Sequence, residues 1–163
     1  MRENVLESIS SEDTMKGKFL TFSLGEEFYG IDIVYVTEIV GIQPITLVPE
    51  LPSFIRGIIN LRGQIIPVMD IRSKFNKDPK DYNDRTCIIV VDIREFSIGI
   101  IVDAVSEVMT IAEENIAPPP EVGSTGRKYI KSVGKNDDCV ILIIDCDKLL
   151  DNEDSNDIIL GIE

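Results

Sequence analysis

Gly30-Ile-Asp-Ile-Val-Tyr-Val-Thr-Glu-Ile-Val-Gly-Ile42 returns 69 residues later as Gly99-Ile-Ile-Val-Asp-Ala-Val-Ser-Glu-Val-Met-Thr-Ile111. The first glycine, an isoleucine, a valine, the glutamate and the final isoleucine coincide, and most other pairs stay within their chemical class. A shift of 75 aligns Phe54-Ile-Arg-Gly-Ile58 with Tyr129-Ile-Lys-Ser-Val133, and runs without a gap to Phe75 against Leu150. The six-residue difference between the shifts falls in loops, where Ala117-Pro-Pro-Pro-Glu-Val-Gly123 occupies the later copy. Matching segments with the slack confined to loops are what a duplicated unit should show.

The repeated unit reads as β. Phe19-Leu-Thr-Phe-Ser-Leu24 alternates, Gly25-Glu26 supplies a tight turn, and Glu27-Phe-Tyr-Gly-Ile-Asp-Ile33 returns as a hairpin partner. A β-rich stretch follows over Val34–Val40, and Gly41 to Pro52, with three prolines, is a loop. Phe54–Asn60 and Gln64–Asp70 read as strands joined at Leu61-Arg62-Gly63. Pro67 has no N–H to give a ladder, which predicts an edge or a bulge there. Ile71–Phe75 makes a short helix, with Asp70 and its counterpart Asp145 as helix N-caps. Ile98–Val102 and Val140–Ile144 are apolar on both faces, which predicts strands covered on both sides. One such unit is marginal alone. Two of them can close their edges and pack a core between them, leaving a groove where they meet. The organisation expected is a tail over 1–15, a two-part β domain over 16–150, and an acidic tail over 151–163. The halves fall at about 16–75 and 85–150 around a linker at 76–84, and strands can be exchanged between the two barrels.

Composition excludes much. The 163 residues suffice for about one domain, and 44% apolar content is globular. No apolar run approaches the ~20 residues that span a bilayer. The opening Met1-Arg2-Glu3-Asn4 is too polar for a signal-peptide core, so the expected compartment is the cytoplasm. There is no histidine, which removes the commonest general base and the commonest transition-metal ligand. Cys87, Cys139 and Cys146 are odd in number, lack metal-ligand spacing, and read as small apolar core residues. A net charge of −13 with no Lys/Arg cluster argues against nucleic acid. Residues 1–15 carry four acids against one arginine, and 151–163 carry five acids and no base, a pattern suited to solvated tails.

With these segments in view, the chain resembles the CheW-type coupling proteins of bacterial chemotaxis over about Lys16 to Leu150. The resemblance rests on Phe19–Ile33, Glu38-Ile39, Phe54-Ile-Arg-Gly-Ile-Ile-Asn-Leu-Arg-Gly63, Pro67-Val-Met-Asp70, Gly99-Ile-Ile-Val-Asp103 and Val105-Ser-Glu-Val108, in that order. It implies a mainly β protein: two pseudo-symmetric, five-stranded SH3-like barrels with a shared core, plus short helices. It further implies an adaptor with no catalysis and no cofactor or metal. Its partners would be the cytoplasmic tips of chemoreceptors and the regulatory domain of a CheA-type histidine kinase. The protein would be a monomer when free, recruited to membrane-associated receptor arrays without entering the membrane.

Carried over residue by residue, the resemblance places a receptor groove at Ile33, Val36, Glu38 and Ile39, with Val102 and Val105 opposite, and ties Gly57 and Arg62 to it. Kinase contact maps to Asn60 and Arg62, and to a second surface at Pro120, Glu121 and Val122. There Ala117 stands where relatives can carry a basic residue and Val122 where an aromatic occurs. Arg62 on a turn tip is poised for a bidentate contact to a partner carboxylate, against the plainer reading of a solvated arginine. Gly57 and Gly63 serve backbone geometry first. Glu38 and Glu107, at equivalent repeat positions, could be drawn as an acid/base pair, but duplication of one outward-facing residue explains them more simply. A regulatory domain sensing a small ligand in the groove is the alternative function.

Overall fold

Strand-forming β-branched residues and left-handed turn positions divide the chain at short intervals. The computed structural model describes residues 15–119 and 128–150. The first copy supplies β1 (Lys18–Leu24), β2 (Glu27–Asp32), β3 (Val36–Gly41), β4 (Ile55–Leu61) and β5 (Gln64–Asp70), closed by helix α1 (Ile71–Lys74). The second supplies β6 (Cys87–Ile93), β7 (Phe96–Val102), β8 (Ala104–Thr110), the two-residue β9 (Ile116–Ala117), β10 (Ile130–Asn136) and β11 (Cys139–Ile144). One-turn 3-10 helices follow β2 (Ile33–Tyr35), precede β9 (Glu113–Asn115) and follow β11 (Cys146–Lys148).

Neither sheet is built from one copy. The first runs β8-β1-β2-β11-β10-β9 and the second β3-β6-β7-β5-β4. Each therefore takes the opening hairpin of one copy and the later strands of the other. The exchange happens at two crossovers, where the chain leaves β2 for β3 and β7 for β8. The ladders leave open edges, and these are patched alike. Thr46 and Ile58 exchange two 2.9 Å backbone hydrogen bonds along β4, and β9 lies along β10 through Ala117 and Ile116. The SH3-like description thus holds as two open sheets with matched order, one carrying the short sixth strand β9.

Bulges repeat as well. β4 shifts register between Ile55 and Gly57, and β10 between Ile130 and Ser132, positions related by the shift of 75. β3 bulges between Val36 and Glu38, and β8 between Val105 and Val108.

Among the described residues the core has three parts. The largest cluster, 21 buried residues, includes Phe22, Ile31, Met69, Ile89, Ile100 and Ile144, and so draws on both sheets. Smaller clusters belong to one sheet each: seven residues around Ile59, Val68 and Ile88, and four around Phe19 and Ile141. At about 1.5–3 kcal/mol for each fully buried large side chain, the shared cluster dominates and binds the sheets together. Phe22, Tyr29, Phe75 and Tyr129 form an aromatic ladder through it, with successive centroids 5.4–5.6 Å apart.

Four expectations are corrected. Pro67 lies neither on an edge strand nor in a bulge of its own: β5 sits between β7 and β4. It is tolerated because its partner Ile58 directs its N–H and C=O to Thr46, so no bond from Pro67 is needed on that side. On the other side the ladder with β7 starts only at Val68. Cys139 is exposed at the start of β11, whereas Cys146 is buried and Cys87 packs half-buried against the shared core. Burial pushes the Cys146 thiol up to about 12, as for an unreactive core residue. Val140 is exposed at the hairpin end of β11, although Ile98–Val102 is buried throughout as expected. Asp70 caps α1, its carboxylate accepting from the Arg72 N–H at 3.0 Å. Asp145 makes no side-chain cap; its carbonyl accepts from Lys148 instead.

Candidate functional site

The two crossovers set the frame. Asp32 ends β2 and its carboxylate accepts from the Val34 N–H at 3.2 Å, starting the 3-10 turn that swings the chain to β3. Ile33 on that turn and Val102 on the other crossover are equivalent in the repeat. Both are buried in the shared core. Their burial differs from the exposed place expected of contact residues: they lie in the core behind the seam. The next pair, Val36 and Val105, is half-buried and packs on the rim of the same core. Ile39 on β3 and Val108 on β8 are exposed at 43% and 49%. The rim of the seam thus presents apolar side chains from both sheets.

The β4–β5 turn supplies the charged element. Arg62 and Gly63 both have positive φ, +54° and +89°, the geometry of a tight two-residue hairpin turn. Asn60 closes it, its Oδ1 accepting from the Gly63 N–H at 2.8 Å. That bond occupies Asn60 and leaves Arg62 at the tip. Arg62 Nη2 donates to Glu38 Oε2 in an exposed ion pair. Because β3 and β4 are the two edges of the second sheet, this pair clasps the sheet across its opening. Two residues selected separately from the sequence, Glu38 and Arg62, are therefore one unit.

Gly57 lies behind this element, buried in β4 with φ of +149°. A Cβ there would stand 2.2 Å from the Thr46 carbonyl oxygen, inside the bridge that patches the edge. Its role is structural at this distance. Pro120, Glu121 and Val122 lie outside the described residues.

Sequence reasoning missed the polar clamp at the seam. Asp103, on the β7–β8 crossover, accepts from Arg72 Nε at 2.8 Å and Nη2 at 2.6 Å, and from the Gly25 N–H at 2.7 Å. Lys80 approaches the same carboxylate at 3.5 Å. The Arg72 hydrogen bonds, with the Gly25 N–H, hold the Asp103 carboxyl down at about 2 despite partial burial. One carboxylate thereby ties the β1–β2 turn, α1 and the crossover together. A signal was present: the repeat puts Val34 opposite Asp103 and Asp147 opposite Arg72, so both charges break the pattern.

Glu38 and Glu107 sit on edge strands of different sheets, and Glu38 is engaged by Arg62. Among the described residues no His/Cys/Asp/Glu group is arranged to hold a metal, and no helix is long and apolar enough to cross a membrane.

A duplicated SH3-like fold with an apolar seam and an arginine on its rim defines a protein-binding module. The family model described as CheW-like domain matches residues 18–154. The chain is 38% identical over 143 residues to "Chemotaxis protein CheW" of Klebsiella aerogenes, covering 87% of this chain and 86% of that one. The protein of the same description from Bacillus subtilis is 34% identical, with 85% and 89% covered. The crystal structure of scaffolding protein TtCheW from Thermoanaerobacter tengcongensis superposes with a TM-score of 0.79 at 43% identity, covering 85% of this chain and 94% of that one. This chain belongs to the CheW-like family of chemotaxis scaffolding proteins.

Proposed function

We propose that the chain is a non-catalytic adaptor coupling the cytoplasmic tips of chemoreceptors to the regulatory domain of a CheA-type histidine kinase. It acts at membrane-associated receptor arrays and needs no cofactor. The receptor groove is formed by Val36, Ile39 and Val105 on the rim, with Glu38 beside them and Ile33, Val102 and Gly57 behind. The turn holding Asn60 and presenting Arg62 meets the kinase, with Pro120–Val122 as a second kinase contact. The observation that carries this reading is the clasp itself. Arg62 is an exposed guanidinium held at the border of an apolar rim, and a partner carboxylate can compete with Glu38 for it.

The test is a titration of labelled protein with a CheA-type regulatory domain and, separately, a receptor-tip fragment. Arg62→Ala weakens binding by about 2 kcal/mol, roughly thirtyfold, while the melting temperature stays nearly unchanged. Parallel losses of binding and stability would make Arg62 a structural residue. A folded wild-type chain that binds neither partner would end the proposal.

A further inference from the structure

In the first sheet β2 and β11 run parallel with Phe28 opposite Ile141, so the β1–β2 and β10–β11 turns that precede them lie side by side. Between the turns opens a cleft of about 400 Å³, lined by Glu26, Glu27, Phe28, Asp138, Cys139 and Val140, with half-buried Leu142 beneath. It shares no residue with the seam or the Arg62 turn. Its walls are apolar: Phe28 and Val140 are exposed at 38% and 54%, although each belongs to a strand whose later residues are core. Its rim is acidic. Glu27 is engaged by Lys77 and by the Tyr29 hydroxyl, the latter at 3.1 Å. Glu26, Asp137 and Asp138 are exposed, and among the described residues no basic group pairs with them. Lys135, opposite Val140 in the β10–β11 ladder, is exposed and makes no ion pair to them either. The repeat makes Asp137 and Asp138 equivalent to Arg62 and Gly63, so the corresponding ends of the two sheets differ in sign.

Unpaired carboxylates at the border of exposed apolar side chains decide what fits. Nucleic acid and an anionic bilayer are repelled. A purely apolar partner would strip water from the carboxylates and give nothing back. The complementary surface is an apolar anchor with cations beside it, which fills the cleft and pairs with the rim. We propose that this cleft docks a segment of a partner protein in which an aliphatic or aromatic side chain is flanked by Lys or Arg. Phe28 and Val140 receive the anchor, and Glu26, Asp137 and Asp138 receive the cations. Since β2 and β11 are interior strands, the segment binds through side chains and does not add a strand to the sheet.

The test is an amide NMR titration of the full chain with a synthetic heptapeptide, Lys-Leu-Lys-Phe-Lys-Leu-Lys. At low salt the peptide shifts the amides of Glu26–Phe28 and Asp138–Leu142 saturably. Glu26→Gln/Asp138→Asn raises the dissociation constant by about fivefold, the effect of two exposed ion pairs. Phe28→Ser/Val140→Ser raises it by about tenfold or more, and Val140→Ser alone, at the more exposed of the two, by about threefold. A peptide with glutamate for each lysine leaves these amides unmoved, as does one with serine for each leucine and phenylalanine. Absence of binding overturns the proposal, as do shifts spread over the acidic surface and tails without preference for the cleft. Unchanged affinity in both serine variants overturns it too, since charge alone would then hold the peptide. A wild type that sediments as a dimer, and is returned to monomer by Val140→Ser, would make a second copy of the chain the occupant instead.

Discussion

At the edges of the second sheet stand Arg62 and Glu38; the repeat places Asp137 and Glu107 at the corresponding points of the first. The backbones agree closely. Arg62 and Asp137 have φ of +54° and +53°, and both glutamates belong to a bulged stretch, Glu38 just after its bulge and Glu107 within its own. The chemistry does not agree, because one opening is clasped by an ion pair and the other carries two carboxylates. The bulges are satisfied differently too. In the first sheet the Thr21 hydroxyl donates to the Glu107 carbonyl and accepts from its N–H, at 2.8 and 3.2 Å. In the second, Val90 occupies that place and the Thr37 hydroxyl donates to its carbonyl at 3.0 Å. Duplication therefore repeats strand order, bulges and turns, while edge side chains differ. That separates what makes the fold from what can give each face its own partner.

The sharpest break in the comparison is Gly57 against Ser132. Both sit at the bulge of equivalent strands, yet only Gly57 has positive φ and a carbonyl 2.2 Å from where a Cβ would be. Gly57→Ala should cost about 3 kcal/mol or more, from backbone strain plus displacement of Thr46. Ser132→Ala should stay within about 0.5 kcal/mol of wild type. Urea unfolding of the two variants measures the difference, and similar losses would refute the distinction between the bulges. Because Gly57→Ala disturbs the β4 edge, any binding defect it shows reports the fold first.

Next in size is the seam clamp, present at Asp103 and replaced by Val34 at the equivalent crossover. Asp103 has a folded value of about 2 against an ordinary 3.8. A depressed carboxyl contributes stability that is complete above the unfolded value and lost as pH falls through the folded one. The contribution, about 2 kcal/mol, is therefore present above about pH 4 and disappears between about pH 4 and pH 2. Asp103→Asn should be destabilised by about that amount at pH 7 and differ little from wild type near pH 2. Unfolding midpoints across this range check it; a constant difference at all pH values would remove the carboxylate's charge as the cause.

Much of this is legible in the sequence. The repeat located the strands, the turns and the pairing of equivalent positions, because period-two burial and left-handed turn residues are written locally. The family resemblance makes Glu38 and Arg62 candidates but does not put them in contact, since an edge-to-edge ion pair depends on sheet order. Ile33 and Val102 fall in the groove through the family resemblance, and their pattern does not decide the matter, because burial behind a seam and exposure on it have the same apolar signature. Cys139 and Val140 were read as core for the same reason, being one hairpin tip away from it. Asp103 and Arg72 are 31 residues apart and their pairing is tertiary, so only their departure from the repeat could have drawn attention to them.

That departure also shows how to rebuild one sheet's edge in the other. Asp137 already has the left-handed backbone that Arg62 adopts, so Asp137→Arg introduces no new backbone conformation. It replaces an acid with a guanidinium at the position that the repeat makes equivalent to Arg62, with Glu107 equivalent to Glu38. Exposed pairs are worth little, and the Arg62–Glu38 pair is itself mostly solvated, so the expected gain is about 0.5 kcal/mol at low salt. The gain should vanish in a Glu107→Gln background and shrink at high salt. If it survives Glu107→Gln, lowering the net charge of the chain is the cause, and the first sheet has no latent clasp. If it depends on Glu107, the opening of the first sheet can hold an ion pair like the one that clasps the second.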